Sequence, residues 1–422
     1  MIRLRARLHY LTHAPSAIQS SFLAIALIIA GGFDYIVNIV VGRRLDPNQF
    51  FVFVTVTALL QVMVQLTNVI RNVVAYYTAE STVHPDALQR VGIVLRRSWR
   101  WAWRWGLVAT ALAVLLGPLL AQFLRIDSPW PLWAAAFALL LLFLRPVTDG
   151  TLQGIQNFFG LGSVQILQSV LRLLFVILLL SIGLQATGAI VALPLASTVA
   201  LVVAIFLLRT YFRAPNPVSP PRPISWRYST LTLIGLLAYG LMINIDPILV
   251  RRFFGEAAAA AYAPVVTLGK LNLFIPLGIG LVLFPKATQR HAAGLDSRPV
   301  LMLALVATLI PGLLLTIFYY LFPAQIVERV FGDAYTDPGI LLTMVGLATT
   351  LYAGVSIWLN YALSLERRLF VFALASIVAL QIVAMILFHM ELTAIALIMI
   401  VTGAAGNVAG ALTTLTRHGL TP

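Results

Sequence analysis

Residues 131–158 read "PLWAAAFALLLLFLRPVTDGTLQGIQNF", and this stretch decides the fold. Its opening run to Leu144 carries no charge and reads as the body of a membrane-spanning helix, for which a bilayer core about 30 Å thick needs roughly 20 apolar residues. Arg145, Pro146 and Asp149 then arrive where a lipid-facing helix should stay apolar. Arg145, Asp149, Gln153 and Gln156 recur at intervals of four, four and three, so a continuing helix gathers them into one polar stripe. Lipid cannot satisfy such a stripe, which must face protein, water or a ligand.

The same pattern of long apolar runs fills the chain. Of 422 residues 60% are hydrophobic and 10% charged, with a mean hydropathy of +0.96, which excludes a soluble globular domain. Twelve apolar windows lie near 17–41, 48–78, 102–124, 130–150, 160–184, 187–209, 229–252, 258–285, 299–322, 337–363, 369–388 and 392–415. Backbone groups in lipid must bond within their own segment, so windows of this length predict helices rather than barrel strands. The predicted fold class is an all-α integral membrane protein of about 12 transmembrane helices. The basic N-terminus "MIRLRARLHY" precedes an apolar segment without a clear cleavage site, and we read that segment as a retained first span.

Lysines and arginines set the orientation. Clusters such as Arg3, Arg5 and Arg7, then Arg96, Arg97, Arg100 and Arg104, then Arg209, Arg213, Arg222 and Arg227 fall on the side of both termini, as do Lys286, Arg290 and Arg417. The opposite side holds Arg43, Arg44, Arg125, Arg251, Arg252 and Arg329. Both termini are therefore predicted to be cytoplasmic, in a multi-pass protein of the inner membrane. The net charge of +14 reflects this bias and attraction to anionic lipid headgroups, not nucleic-acid binding. "LRRSWRWAWRW" (95–105) reads as an interfacial, amphipathic entry to the third span.

The longest break between windows, "YFRAPNPVSPPRPISWRY" (211–228), holds five prolines and forms a stiff connector. It divides the chain into an N-terminal lobe of six helices (1–210), a linker (211–228) and a C-terminal lobe of six helices (229–422). "GRRLDPNQFFVF" (42–53) and "RRFFGEAAAAAY" (251–262) occupy equivalent places, and an offset of 209 aligns Leu45 with Phe254 and Phe53 with Tyr262. An even number of spans per half makes this a parallel repeat, with a site expected between the lobes.

"GRRLDPNQFFVF" resembles the Gly-Arg-x-Leu-Gly-Pro-x-x-Phe-Gly pattern of oligosaccharide flippases in the multidrug/oligosaccharidyl-lipid/polysaccharide (MOP) exporter superfamily. "LQGIQNF" (152–158), "GLQATGAIVALPLA" (183–196), "NIDPILVRRFFGEAAAAAYAPVVTLGKL" (244–271) and "LFPKAT" (283–288) look like later landmarks of the same family. The pattern's last glycine, which opens the helix, is replaced by Phe51 in the first repeat and Ala260 in the second. The resemblance implies a fold like that of the MATE transporters, alternating access, and a polyprenyl-pyrophosphate oligosaccharide as substrate for cell-surface polysaccharide assembly.

Charges within the spans suit that substrate. Arg71, Arg145, Arg172 and Lys270 would each cost roughly 2.5 to 3.5 kcal/mol at a lipid-exposed midpoint, so they should face an interior. Gln61, Gln65 and Asn68 share a face of the second span near Arg71, and Gln165 and Gln168 share one with Arg172 in the fifth. Guanidinium groups match phosphate oxygens, and amides serve sugar hydroxyls. Asp34 and Asp246 can bind Na⁺, carry protons or neutralise a cation, and Asp149 is placed to pair with Arg145 four residues earlier. The expected partners are a lipid-linked glycan, Na⁺ or H⁺, membrane lipids and polysaccharide assembly proteins.

The chain has no cysteine, its six histidines are scattered, and no HExxH, GxSxG or Walker sequence occurs, so no metal site, cofactor or catalytic residue is predicted. Two alternatives compete with a flippase. One is an ion-coupled MATE-type antiporter of organic cations, disfavoured by the excess of intramembrane cations. The other is a membrane glycan polymerase or ligase, disfavoured by short predicted external loops.

Overall fold

The computed structural model describes residues 2–216, 226–274, 298–335, 337–365 and 367–415, with side chains described from Phe22 to Asn216, Thr230 to Phe274, Arg298 to Tyr335, and over 337–365 and 367–413. "LFPKAT" with Lys286, Arg290, most of the proline-rich connector with Arg222, Arg417, and the side chains of Arg3, Arg5, Arg7 and Arg227 fall outside these residues. Every regular element among the described residues is helical: α1 (Ile2–Arg44), α2 (Pro47–Thr82), α3 (Ala87–Phe123), α4 (Trp130–Gly154), α5 (Phe158–Ser181), α6 (Gln185–Leu207), α7 (Arg209–Phe212), α8 (Trp226–Met242), α9 (Ile245–Phe253) and α10 (Glu256–Gly269). A 3-10 turn (Lys270–Phe274) ends α10, and α11 (Arg298–Leu321), α12 (Pro323–Phe331), α13 (Ile340–Ser364), α14 (Arg368–Leu387) and α15 (Leu392–Leu415) follow. Eleven helices are long and apolar enough to cross a membrane, or twelve when the bent pair Thr230–Met242 and Ile245–Phe253 counts as one span.

Several boundaries differ from expectation for identifiable reasons. Helix α3 begins at Ala87, not near residue 102, because "LQRVGIVLRRSWRWAWRW" contains no proline and continues as one helix. The seventh span breaks with a bend of 46°. At the break Asn244 leaves helical geometry at φ −133°, and its Nδ2 donates to the Gly240 carbonyl at 2.9 Å. Pro247 lies in the first turn of α9, where its missing N–H leaves no bond unmade. Helix α4 stops at Gly154, Gln156 adopts φ +57°, and Asn157 caps α5 by accepting from the Gly160 N–H at 2.9 Å. Gln156 therefore falls off the polar stripe that a continuing helix predicts. The short amphipathic α12 lies where a loop is predicted.

The chain divides into two compact units. The first comprises Met1–Val37, Leu66–Pro118 and Pro129–Ser225. Its core is drawn from α3 to α6, including Leu95, Leu141, Leu144, Val147, Leu152, Leu161, Val164 and Leu201. On α6, Ala192, Ala196, Ala200 and Ala204 recur every four residues and are fully buried, a small-residue seam that lets neighbouring helices approach where no hydrophobic drive between helices exists.

The second unit comprises Asn38–Gln65, Leu119–Ser128 and Trp226–Pro422. Helix α13 is its axis, with Val345, Ala348, Tyr352, Val355 and Leu359 buried. Two arginines tie the segments of this unit together. Arg251 of α9 is 3% exposed, and it donates to the carbonyls of Leu124 (3.1 Å) and Arg125 (2.8 Å) just past the end of α3 and to Asn48 Oδ1. Arg43, at the end of α1, donates to the carbonyls of Val330 and Arg329 at the end of α12. The Tyr335 hydroxyl donates to the Gly42 carbonyl at 2.9 Å, and Phe50 packs on Phe331 and Tyr335. Each half of the sequence thus supplies an arginine from the last helical turn of its first span to carbonyls at a helix end of the other half.

Candidate functional site

In the first unit α5 acts as a polar spine. Gln165, Gln168, Ser169 and Arg172 lie on one face of the helix and reach two neighbours. Toward α4, the Gln168 Oε1 accepts from Arg145 Nη1, Arg145 Nη2 donates to Asp149 Oδ2 at 3.2 Å, and Gln165 Nε2 donates to the same Asp149 oxygen at 3.1 Å. Toward α1, Arg172 Nη1 donates to Asp34 Oδ1 at 2.9 Å and Ser169 Oγ to Asp34 Oδ2 at 3.4 Å. The Arg145 and Asp149 side chains are 8% and 9% exposed, whereas Asp34 is 41% exposed beside a 9% exposed Arg172. One pair is sealed in the helix packing and the other opens on one side.

Helix α2 closes on α4 at Gly150. A Cβ there would lie 2.5 Å from the Arg71 carbonyl oxygen, so only glycine permits this approach. It sets Arg71 where the Asp149 carboxylate attracts it. The arrangement leaves polar capacity unused: Arg71 Nε, Arg145 Nε, Arg172 Nε and Asp149 Oδ1 are buried without a hydrogen-bond partner. An orphaned buried polar group costs about 1–3 kcal/mol, so Arg145 Nε and Asp149 Oδ1 within the network, Arg71 Nε beside it and Arg172 Nε on the neighbouring pair each favour a further polar partner. Guanidinium groups of this kind can hold phosphate oxygens, and the amides of Gln165 and Gln168 can orient hydroxyl groups.

The second unit has its own buried cluster around the break between α8 and α9. Lys270 Nζ donates to Asn244 Oδ1 at 2.8 Å. Asp246 is fully buried, accepts from the Tyr262 hydroxyl at 2.8 Å, and is attracted to Lys270. Gln381 Nε2 donates to the Tyr352 hydroxyl (3.1 Å) and the Met242 carbonyl (3.2 Å). Asp246 Oδ1 and Gln381 Oε1 are left without a partner.

The structure therefore joins Arg145, Asp149, Gln165 and Gln168 in one network with Arg71 beside it, joins Asp34 to Arg172, and sets Lys270 and Asp246 in a second cluster. The predicted α2 row is not held together in the same way. Gln61 and Gln65 belong to the second unit, while Asn68 and Arg71 belong to the first. Gln61 is exposed, Asn68 is half-buried, and Gln65 lies against Gly240, where a Cβ would come within 2.8 Å of its Cγ. Sequence reasoning overlooked Ser169, Tyr262 and Tyr352. Ser169 carries a legible signal, since it follows Gln168 on the face that leads to Arg172. The tyrosines carry little, because a phenol among apolar residues passes for core; the repeat alignment of Tyr262 with Phe53 marks the added hydroxyl. No group of three His, Asp or Glu placed to hold a metal ion occurs among the described residues.

These features define the class: a multi-pass, all-helical membrane protein. No protein-family model matches the sequence, and no curated protein matches it. Solved structures do. An inward-facing multidrug resistance MATE transporter of the MOP superfamily superposes with a TM-score of 0.68 at 12% identity over 90% of this chain and 93% of that one. The eukaryotic MATE transporter AtDTX14 gives 0.67 at 12% identity over 96% of both chains. The lipid II flippase MurJ, in an inward closed conformation, gives 0.65 at 12% identity over 93% of this chain and 88% of that one. These neighbours are transporters and a flippase, not enzymes, and at this identity the likeness establishes the fold.

Proposed function

We propose that the chain is a transporter that moves a polyprenyl-pyrophosphate oligosaccharide from the cytoplasmic to the outer leaflet of the inner membrane, for assembly of a cell-surface polysaccharide. In this reading both termini are cytoplasmic, residues 1–210 and 229–422 act as two lobes about the 211–228 linker, and alternating access exposes the site to each side in turn. Arg71, Arg145 and Arg172, all in the first unit, receive the pyrophosphate, while Asn68, Gln165 and Gln168 of the same unit receive the sugars. The observation that carries the proposal is the buried Gln165–Asp149–Arg145–Gln168 network with Arg71 beside it, in which the Nε atoms of Arg71 and Arg145 are unclaimed. Cations outnumber carboxylates there, which suits an anionic headgroup better than an organic cation. The lipid II flippase among the structural neighbours supports this direction.

The test is gentle purification followed by native mass spectrometry. Arg71 is the residue to vary, because no carboxylate pairs with it directly and Arg71→Gln breaks no ion pair. A polyprenyl-pyrophosphate glycan carried by the parent and lost in Arg71→Gln supports the reading. Equal retention in both removes Arg71 from the site, and no retention even when the glycan-lipid is supplied rejects the substrate.

A second reading, ion-coupled export of organic cations, is favoured by Asp246, a fully buried carboxylate with an unpartnered oxygen at a helix break. Na⁺ or H⁺ at Asp246 or Asp34 would couple transport in either reading. Proton-linked uptake of an organic cation into vesicles, abolished by Asp34→Asn or Asp246→Asn, would move the assignment to the antiporter.

A further inference from the structure

Helix α3 is 37 residues long, about 55 Å at 1.5 Å per residue, well beyond the span of a bilayer core. Its surplus lies at the start, where five arginines fall within four turns. Two of them have structural work. Arg90 pairs with Asp86 at 2.7 Å, and Arg96 donates to the carbonyls of Tyr211, Phe212 and Ala214 and to Asn216, seating α7 against α3. Arg97, Arg100 and Arg104 are exposed, and no described residue gives them a hydrogen bond or an ion pair.

Those three sit three and four residues apart on one helix face. The exposed indoles of Trp101 and Trp105, 6.3 Å apart, stand beside them, and an exposed apolar track continues through Val108, Leu112 and Leu115 in the same three-and-four rhythm. The neighbouring α7 and the residue that follows it add exposed Arg209 and Arg213 and no acid. Along the helix the guanidinium groups begin, the indoles interleave with and follow them, and the aliphatic track comes last, the order in which a phospholipid presents its headgroup, its interface and its acyl chains. No described acid compensates the charge; a zwitterionic lipid offers phosphate oxygens for bidentate arginine contacts but adds its own ammonium, whereas an anionic lipid offers the phosphate with a net negative charge.

We infer that the Arg97, Arg100 and Arg104 face of α3, with Trp101 and Trp105, is a binding site for an anionic membrane phospholipid. The inference stands apart from what the protein transports, because these residues belong to neither buried cluster. Each juxtamembrane cation contributes roughly a fivefold factor to such binding, so removing three weakens it about a hundredfold. The experiment titrates the purified full chain with cardiolipin, phosphatidylglycerol or phosphatidylcholine and counts bound lipid by native mass spectrometry. It compares the parent, the triple variant R97Q/R100Q/R104Q, and the charge-matched control R44Q/R329Q/R368Q, with melting curves on all three to confirm folding. The expected result is tight binding of the anionic lipids by the parent and the control, and about a hundredfold loss in the triple variant. Equal loss in the control reduces the effect to net charge and overturns the site. Equal binding of phosphatidylcholine overturns its anion specificity. Displacement of cardiolipin by polyprenyl phosphate at equal concentration gives the site to another lipid and overturns the assignment of its occupant.

Discussion

Arg251→Met should loosen the second unit by about 3 kcal/mol, and the figure follows from what the guanidinium touches. Arg251 is 3% exposed and makes three hydrogen bonds, two to helix-terminal carbonyls at 3.1 and 2.8 Å and one to Asn48. Hydrogen bonds to a charged group contribute about 1.5–3 kcal/mol each. They do not sum freely, because desolvating the guanidinium offsets part of the gain. Leu124 is 1% exposed, so its carbonyl is stranded in the variant at a cost of about 1–3 kcal/mol. Arg125 is exposed and half-buried Asn48 is partly so, and water takes over much of their bonding. One stranded carbonyl plus two partly replaced bonds comes to about 2–4 kcal/mol. Methionine keeps most of the side-chain volume, so no large cavity adds to the loss. The eight tryptophans report unfolding in detergent by fluorescence, and amide hydrogen exchange localises the effect. The variant should melt several degrees lower, with faster exchange confined first to residues 46–50 and 121–126. A melting curve that overlays the parent, or exchange that rises evenly through the chain, would refute the view that Arg251 pins these two turns. The exposed Arg43, whose bonds to Arg329 and Val330 are open to water, should cost about 1 kcal/mol or less as Arg43→Ala.

Asp149→Asn removes the carboxylate that accepts from Arg145 and Gln165 and attracts Arg71; breaking a buried pair costs about 3–5 kcal/mol, so the variant should lose a large share of its thermal stability, and an unchanged melt would mean that water already screens the cluster. Gly150→Ala drives a Cβ to within 2.5 Å of the Arg71 carbonyl and should destabilise by about 1–3 kcal/mol through overpacking, read in the same assay, with a neutral result showing that α2 can retreat. Burial raises the Tyr335 phenol above the ordinary tyrosine range, with Asp46 adding to the shift. The unfolded chain therefore releases this proton first as pH rises past about 10, and the stability the phenol contributes is full below that pH and falls above it. Tyr335→Phe should flatten that alkaline decline and cost about 1 kcal/mol at neutral pH for the lost bond to Gly42; an identical pH profile for both proteins would remove Tyr335 as its source.

The helices were legible because lipid leaves the backbone few choices. Where the chain stays apolar for about 20 residues it must satisfy its own N–H and C=O groups, and a helix is the short-range solution. The span predicted at 187–209 is observed at Gln185–Leu207, and that at 369–388 at Arg368–Leu387. Boundaries failed where apolarity and helicity part company. A helix outside lipid needs no apolar run, and no proline interrupts residues 87–117, so α3 starts well before its hydrophobic window. Asn244 breaks the seventh span without interrupting its apolar run, because a single amide that bonds its own helix carbonyl changes backbone direction but hardly changes hydropathy.

The candidate site was legible in its members more than in its pairings. A helical period states which residues share a face, and so α5 could be read as a row of Gln165, Gln168 and Arg172. It says nothing about which neighbour the row meets, and α5 in fact serves two partners, Asp149 on α4 and Asp34 on α1. The local pair Arg145–Asp149 was readable because four residues on a helix is a distance in space as well as in sequence. Arg172–Asp34, separated by 138 positions, needs the fold. The second helix exposes the same limit from the other side. Gln61, Gln65, Asn68 and Arg71 keep a helical rhythm, yet the helix passes from one compact unit to the other between Gln65 and Leu66. Periodicity fixes the direction in which a side chain leaves its own helix, whereas membership of a site depends on what stands opposite at each height, and in a helix as long as α2 the opposite wall changes partway along.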